Sequence, residues 1–187
     1  MTRAVLSRGS ARDRVLEAAI GLFAEFGVDG TSLQMIANRL GVKKASVYYQ
    51  FHSKEDIIEA VIRPVIEDIA RLVTIAEAIP TVEARRDVAV SGMVELAVRN
   101  RRLSAVFCGD RAVEAHLRSD PGFVANSDKM DDLMSGPNPD LTTRIATSFL
   151  AAGIFWTAAD PKYSEVPDAE LHRSLLDTAQ GFLRHLI

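Results

Sequence analysis

Apolar residues in this chain recur every three or four positions and nowhere alternate over a strand's length. Val15, Ala19, Leu22, Phe23 and Phe26 fall at i, i+4, i+7, i+8 and i+11, a single stripe on one helix. A period near 3.6 offers no sheet to build, so the chain must pack helix on helix. Its 187 residues suffice to bury a core without staples, and its one cysteine, Cys108, leaves no internal disulfide to form. That usage fits a reducing cytoplasm, the expected location. The opening residues lack the apolar segment of a secretory signal. The longest apolar run, 149–159, is too short for a membrane span, so no membrane partner is expected.

Charge is distributed unevenly. The chain as a whole carries −3, which argues against indiscriminate binding to nucleic acid. Residues 1–54 hold eight Lys/Arg against four Asp/Glu, whereas the remainder hold fourteen against twenty-one. A basic head on an acidic body points to a polyanion met by the head alone.

The head resolves into short helices. Residues 1–10 read as a flexible basic arm, and a first helix follows, closed by Gly27. Thr31 and Gln34 form a capping box for a second helix whose apolar face is Leu33, Ile36, Ala37 and Leu40. Gly41 ends it, a third helix covers Lys44–Gln50, and Ser53 with Asp56 opens a fourth. Short helices flanking a glycine turn match a helix-turn-helix layout, in which the later helix enters the major groove. Val42, Val47 and Phe51 are expected to face inward. Lys43, Lys44, Ser46, Tyr48, Tyr49 and Gln50 are left on or near the outside, a mixture suited to phosphates and base edges. Neighbouring helical residues point about 100° apart, so Tyr48 and Tyr49 cannot both enter a core. A solvated cationic face is the competing account of any one of these residues. A helical module whose head binds an acidic protein partner is the competing account of the whole.

The stretch Arg14–Ile58, "RVLEAAIGLFAEFGVDGTSLQMIANRLGVKKASVYYQFHSKEDII", resembles the TetR-type bacterial transcriptional regulators. The resemblance is carried by A-x-x-L-F-x-x-x-G from Ala19, T-S-L-Q-M-I-A from Thr31, L-G-V from Leu40 and S-V-Y-Y-Q-F-x-S-K-E-D from Ser46. It implies an all-α homodimer with an N-terminal three-helix, helix-turn-helix DNA-binding domain and a larger C-terminal helical ligand-binding and dimerisation domain. By position it implies DNA contacts from Lys44, Ser46, Tyr48 and Tyr49, and phosphate contacts from Thr31, Ser32 and Lys54. Lys43 stands where such proteins often have a capping Ser or Thr, so either the cap of the third helix is weaker or Lys43 adds a phosphate contact. Gln50 stands where His or Tyr is common. The implied partners are a double-stranded DNA operator, a small-molecule effector and a second copy of the chain, with no cofactor and no metal.

Beyond residue 57 helical patterning continues. Ile57, Ile58, Val61, Val65, Ile69 and Leu72 extend the fourth helix, with Pro64 expected to kink it. Further helices are expected over 82–102, 103–108, 110–118, 141–159 and 168–186. The polar stretch 127–140, broken by Gly136, Pro137 and Pro139, reads as a loop. The expected organisation is therefore an arm at 1–10, a DNA-binding domain at 11–55 and an effector and dimerisation domain at 56–187. Leu141, Ile145, Phe149 and Ala152 form one stripe, and Leu171, Leu175, Ala179, Phe182 and Leu186 another; both are expected at a dimer interface. Candidate effector-pocket residues are Phe107, Cys108, His116, Phe123, Phe155 and Trp156, although core packing is the competing account of each. The four histidines lack metal-ligand spacing, and no nucleophile elbow, Walker loop or dinucleotide fingerprint is present, so no enzyme is expected.

Overall fold

A computed structural model describes residues 10–107 and 109–184, with the backbone alone at Val106 and Phe107. Among the described residues are ten α-helices, one 3-10 turn and no strand. No helix among them is long and apolar enough to cross a membrane. They fall into two compact units, one ending at Ile62 and one beginning at Arg63.

The first unit contains α1 (Ala11–Phe26), α2 (Leu33–Leu40), α3 (Lys44–Gln50) and the first turns of α4 (Lys54–Glu77). Ser10 caps α1: its hydroxyl accepts from the Asp13 N–H at 3.1 Å, and the Asp13 carboxylate accepts from the Ser10 N–H at 2.9 Å. Gly27 ends α1 at φ 72°. The cap of α2 is Ser32, which accepts from the Met35 N–H at 3.2 Å, not the expected Thr31. Gln34 does not reach back but donates forward to Asn38 at 2.8 Å. Gly41 takes the left-handed conformation, φ 65° and ψ 30°, and the Val42 N–H reaches the Ala37 carbonyl at 3.0 Å, which closes α2. Val15, Ala19, Leu22 and Phe23 of α1, Ile36 and Ala37 of α2, Val47 of α3 and Phe51 are buried. Val42 is exposed, because the turn at Gly41 swings the chain outward just before it. Ile57, Ile58, Val61 and Ile62 are buried too, and the division between the units falls inside α4.

The second unit holds the rest of α4, then α5 (Val82–Arg99), α6 (Arg101–Phe107), α7 (Arg111–Ser119), α8 (Pro121–Ser135), α9 (Leu141–Ala159) and α10 (Asp168–Arg184), with a 3-10 turn at Pro161–Tyr163. α5 is its axis. Ala89, Val90, Met93, Val94, Leu96, Ala97 and Val98 are all buried, and α8, α9 and α10 pack around it. The stretch expected as a loop over 127–140 is mostly helix. Asp120 caps α8 through the Phe123 N–H at 2.8 Å, Pro121 occupies its first turn, and Met130 and Met134 drop into the core one turn apart. Arg86 of α5 donates to the Met134 carbonyl at 2.7 Å and satisfies the far end of α8. Only residues 136–140 form the loop.

A Cβ at position 41 would meet nothing within 4 Å, so the only cost of a side chain there is the left-handed backbone. Gly41→Ala is expected to destabilise the first unit by about 1 kcal/mol, with Gly41→Asn milder. Urea denaturation of the full chain, followed by amide exchange in α2 and α3, measures the difference.

Candidate functional site

The exposed surface of the first unit is set by what α3 buries. Val47 is fully enclosed and Phe51 nearly so, which fixes the rotation of the helix. Lys43, Lys44, Ser46, Tyr48 and Tyr49 are all exposed, Tyr49 at 83%. Lys43 occupies the cap position of α3 and makes no side-chain cap. No described residue is hydrogen-bonded to or ion-paired with the ammonium group of Lys43 or Lys44, so both face solvent. The Tyr48 ring meets His52 edge-on at 5.5 Å, which holds its hydroxyl outward. Arg12 lies 4.6 Å from the centroid of the Phe51 ring, bringing a cation of α1 over the end of α3.

Two other cations, Arg39 and Lys54, are already engaged. Arg39 makes a two-pronged pair with Glu25 at 3.0 and 2.8 Å, which holds the Glu25 carboxyl below its ordinary pKa. Lys54 donates to the Val28 carbonyl at 2.9 Å and stands 3.8 Å from Asp29, with three-quarters of its side chain covered. It therefore ties α4 to the α1–α2 turn before it can meet any phosphate. Thr31 is buried, and its hydroxyl donates to the Gly27 carbonyl at 2.8 Å. Its side chain is thus a strut of the turn and not an open contact. Ser32 is exposed at the start of α2 and retains both lone-pair and donor capacity beyond its cap. Asp56 accepts from the N–H groups of His52 and Ser53 at 3.0 and 3.2 Å, while Ser53 accepts from Asp56 at 3.0 Å. That capping box fixes the exit from α3.

Residues 15–61 match the sequence profile of the bacterial regulatory proteins of the tetR family. The first unit is a tetR-family domain. The chain is 50% identical over 48 residues to IcaR, the negative transcriptional regulator of the biofilm operon icaADBC in Staphylococcus aureus strain Newman, and 46% identical over 46 residues to IcaR of Staphylococcus epidermidis. These alignments span about a quarter of this chain and about a quarter of those relatives, 26% of each for the first. Likeness of fold extends further. The ketosteroid transcriptional regulator KstR2 of Mycobacterium tuberculosis superposes with TM-score 0.69 at 20% identity, covering 96% of this chain and 97% of that one. The TetR-family regulator PfmR of Thermus thermophilus superposes with TM-score 0.67 at 18% identity, covering 92% and 98%.

Apart from this tetR-family domain, the second unit contains an apolar cavity of about 310 Å3. It is walled by α4 (Val65, Ile66, Ile69), α5 (Met93, Leu96), α7 (Leu117), α8 (Phe123, Ser127, Met130, Asp131) and α9 (Ala151, Ala152, Phe155, Trp156). Three of the expected pocket residues, Phe123, Phe155 and Trp156, line it. His116 is half-buried but does not, since it lies one position before Leu117 on α7. Cys108 and the Phe107 side chain lie outside the described residues. Reading 127–140 as a loop hides the α8 wall. Phe123, Ser127, Met130 and Asp131 stand at i, i+4, i+7 and i+8, a helical signal present in the sequence. A larger cavity of about 530 Å3 beside Gly136–Pro139 is charged, and its Lys129 and Arg85 are already bonded to Glu77 at 3.1 Å and to the Ile79 carbonyl at 2.6 Å. The smaller cavity is the better receptor for an organic ligand.

The two expected interface stripes part company. On α9, Leu141, Ile145, Phe149 and Trp156 are 72%, 60%, 74% and 58% exposed, and Ala152 between them is exposed as well. On α10, Leu171, Leu175 and Ala179 are buried in the chain's own core and are not available to a partner; Phe182 alone of that set is exposed, and Leu186 lies outside the described residues. α10 has a single apolar stripe and the core claims it. α9 is apolar on both sides: Ala146, Leu150, Ile154 and Ala158 face inward, and the second stripe is left over.

Lys54→Met is expected to lower the stability of the first unit by about 1 kcal/mol, because it removes the ammonium's hydrogen bond to the Val28 carbonyl and leaves that carbonyl only the Thr31 N–H at 3.1 Å. Lys43→Met, which breaks no internal bond, should leave the melting temperature where it is. Thermal denaturation of the two variants side by side checks the distinction.

Proposed function

We propose that the chain is a cytoplasmic, sequence-specific DNA-binding repressor that acts as a homodimer on a palindromic operator and responds to a small-molecule effector. The observation that carries this is the outer face of α3. A helix fixed from below by Val47 and Phe51 presents Lys43, Lys44, Ser46, Tyr48 and Tyr49 to solvent. Lysines supply phosphate contacts, and Ser46 and the tyrosines supply short polar groups for base edges and phosphates. Repression, rather than activation, follows the negative regulators that the tetR-family domain matches.

A homodimer is supported by the unpartnered stripe on α9. Five apolar positions in register over four turns exceed what a free surface ordinarily exposes. Phe182 and the small exposed residues Ser174 and Thr178 of α10 would join that surface. Two-fold symmetry then places two reading helices about 34 Å apart, one turn of duplex. The effector site is the apolar cavity of the second unit. An effector that binds one dimer conformation better than the other shifts the population away from the operator-competent one.

Selection of duplexes from a random pool by the purified protein tests the reading. The expected result is a palindrome, lost in the Lys44→Ala/Tyr48→Ala variant. Absence of any sequence preference over scrambled DNA would favour an acidic protein partner instead. On the selected site, Lys44→Ala is expected to reduce the slope of log K against log salt by about 0.9. Phe149→Asp is expected to give a folded monomer with weakened operator binding, read by sedimentation and by titration of DNA.

A further inference from the structure

We propose that the apolar cavity of the second unit takes an organic cation, an amine or quaternary ammonium on an apolar body, with the Asp131 carboxylate as its counter-ion. This deepens the effector-site reading above and rests on it.

Among the described residues that line the cavity, one is charged, Asp131. The cavity's walls are Val, Ile, Leu, Met, Ala and aromatic side chains, and the polar atoms come from Ser127 and Asp131. Among the described residues no Lys, Arg or His lines it, so none of them would neutralise a carboxylate or phosphate on a ligand. Asp131 sits at the rim, open to water on one side. No described residue is hydrogen-bonded to or ion-paired with its carboxylate. Partial burial, with the Asp128 and Asp132 carboxylates nearby, pushes its carboxyl above the ordinary range. Negative charge at this rim is therefore uncompensated by any described residue, and an arriving cation relieves it where an anion would add to it. Two other carboxylates of the unit are answered internally, Asp120 by Arg63 at 3.0 Å and Glu77 by Lys129 at 3.1 Å.

The aromatic content points the same way. Phe123, Phe155 and Trp156 line one cavity, and aromatic rings stabilise ammonium groups as well as hydrocarbon. A ligand with an apolar body and a cationic end can place the body among the α4 and α5 side chains and its charge at the α8 rim. At about 310 Å3 the space lies at the small end of organic ligand sites, which run from roughly 300 to 1,000 Å3.

Trp156 is the chain's one tryptophan and lines the cavity, so intrinsic tryptophan fluorescence reports on it alone. Phenylbutylamine, phenylbutanol and phenylbutanoate share a skeleton and differ in charge at one end. Titrated into the full-length protein, the amine is expected to bind about tenfold tighter than the alcohol, and the carboxylate weakest. In Asp131→Asn the preference for the amine should collapse while the alcohol's affinity stays, which also establishes that the variant is folded. Equal affinity for amine and alcohol, tightest binding by the carboxylate, an amine preference that survives in Asp131→Asn, or no binding by any of the three overturns the proposal. Binding of wild type and Asp131→Asn to the selected DNA without probe is measured in parallel. Failure there removes the regulator reading without touching the amine preference, so the two failures are distinguishable.

Discussion

The burial of α5 constrains everything else in the second unit. A helix with Ala89, Val90, Met93, Val94, Leu96, Ala97 and Val98 all withdrawn from water needs neighbours on nearly every side. α8, α9 and α10 supply them, and each gives up an apolar face to do so. Of the large apolar residues of α10, Phe182 alone is exposed. α8 gives Met130 and Met134 inward and turns a polar face to solvent. α9 carries apolar residues on two faces, so satisfying the core leaves Leu141, Ile145, Phe149 and Trp156 over. The exposed stripe is thus what remains after packing around α5 is complete, and it is where a second chain would find its surface.

The first unit follows a similar logic on a smaller scale. α3 has only seven residues and cannot be stable by itself. Val47 and Phe51 anchor it, the left-handed turn at Gly41 aims it, and the Ser53–Asp56 box fixes where it stops. Two cations that a charge count would assign to the outer surface, Arg39 and Lys54, instead hold the helices together. What remains outside is a narrower and more defined set, in which Lys43 and Lys44 carry the free charge.

Legibility in the sequence tracks how local the causes are. α3 and α9 begin and end where their patterns place them, since caps, glycines and apolar periods all act within a few residues. The pattern places the cap of α2 one residue early because Thr31 and Ser32 both satisfy it. Choosing between them depends on Thr31 being drawn into the turn by the Gly27 carbonyl. α8 escapes a reading by composition because its polar residues outnumber its anchors, and its far end is satisfied by Arg86, forty-eight residues before Met134. The fate of the α10 stripe is equally illegible. An amphipathic face announces that it will be buried and does not announce against what.

That ambiguity matters most at α9. Its residues Ala151, Ala152, Phe155 and Trp156 wall the cavity, while Leu141, Ile145, Phe149 and again Ala152 and Trp156 make up the exposed stripe. Ala152 and Trp156 belong to both surfaces. Coupling between a ligand and an assembly requires an element whose arrangement both of them bias. A ligand that fills the cavity presses on the same side chains that a partner chain would cover, so it cannot leave the proposed interface indifferent. Reciprocity then runs the other way, and a partner that fixes Trp156 alters the affinity of the cavity by the same factor. In the proposed dimer, effector response therefore needs no long relay within the second unit: the receptor wall and the subunit contact are two faces of one helix.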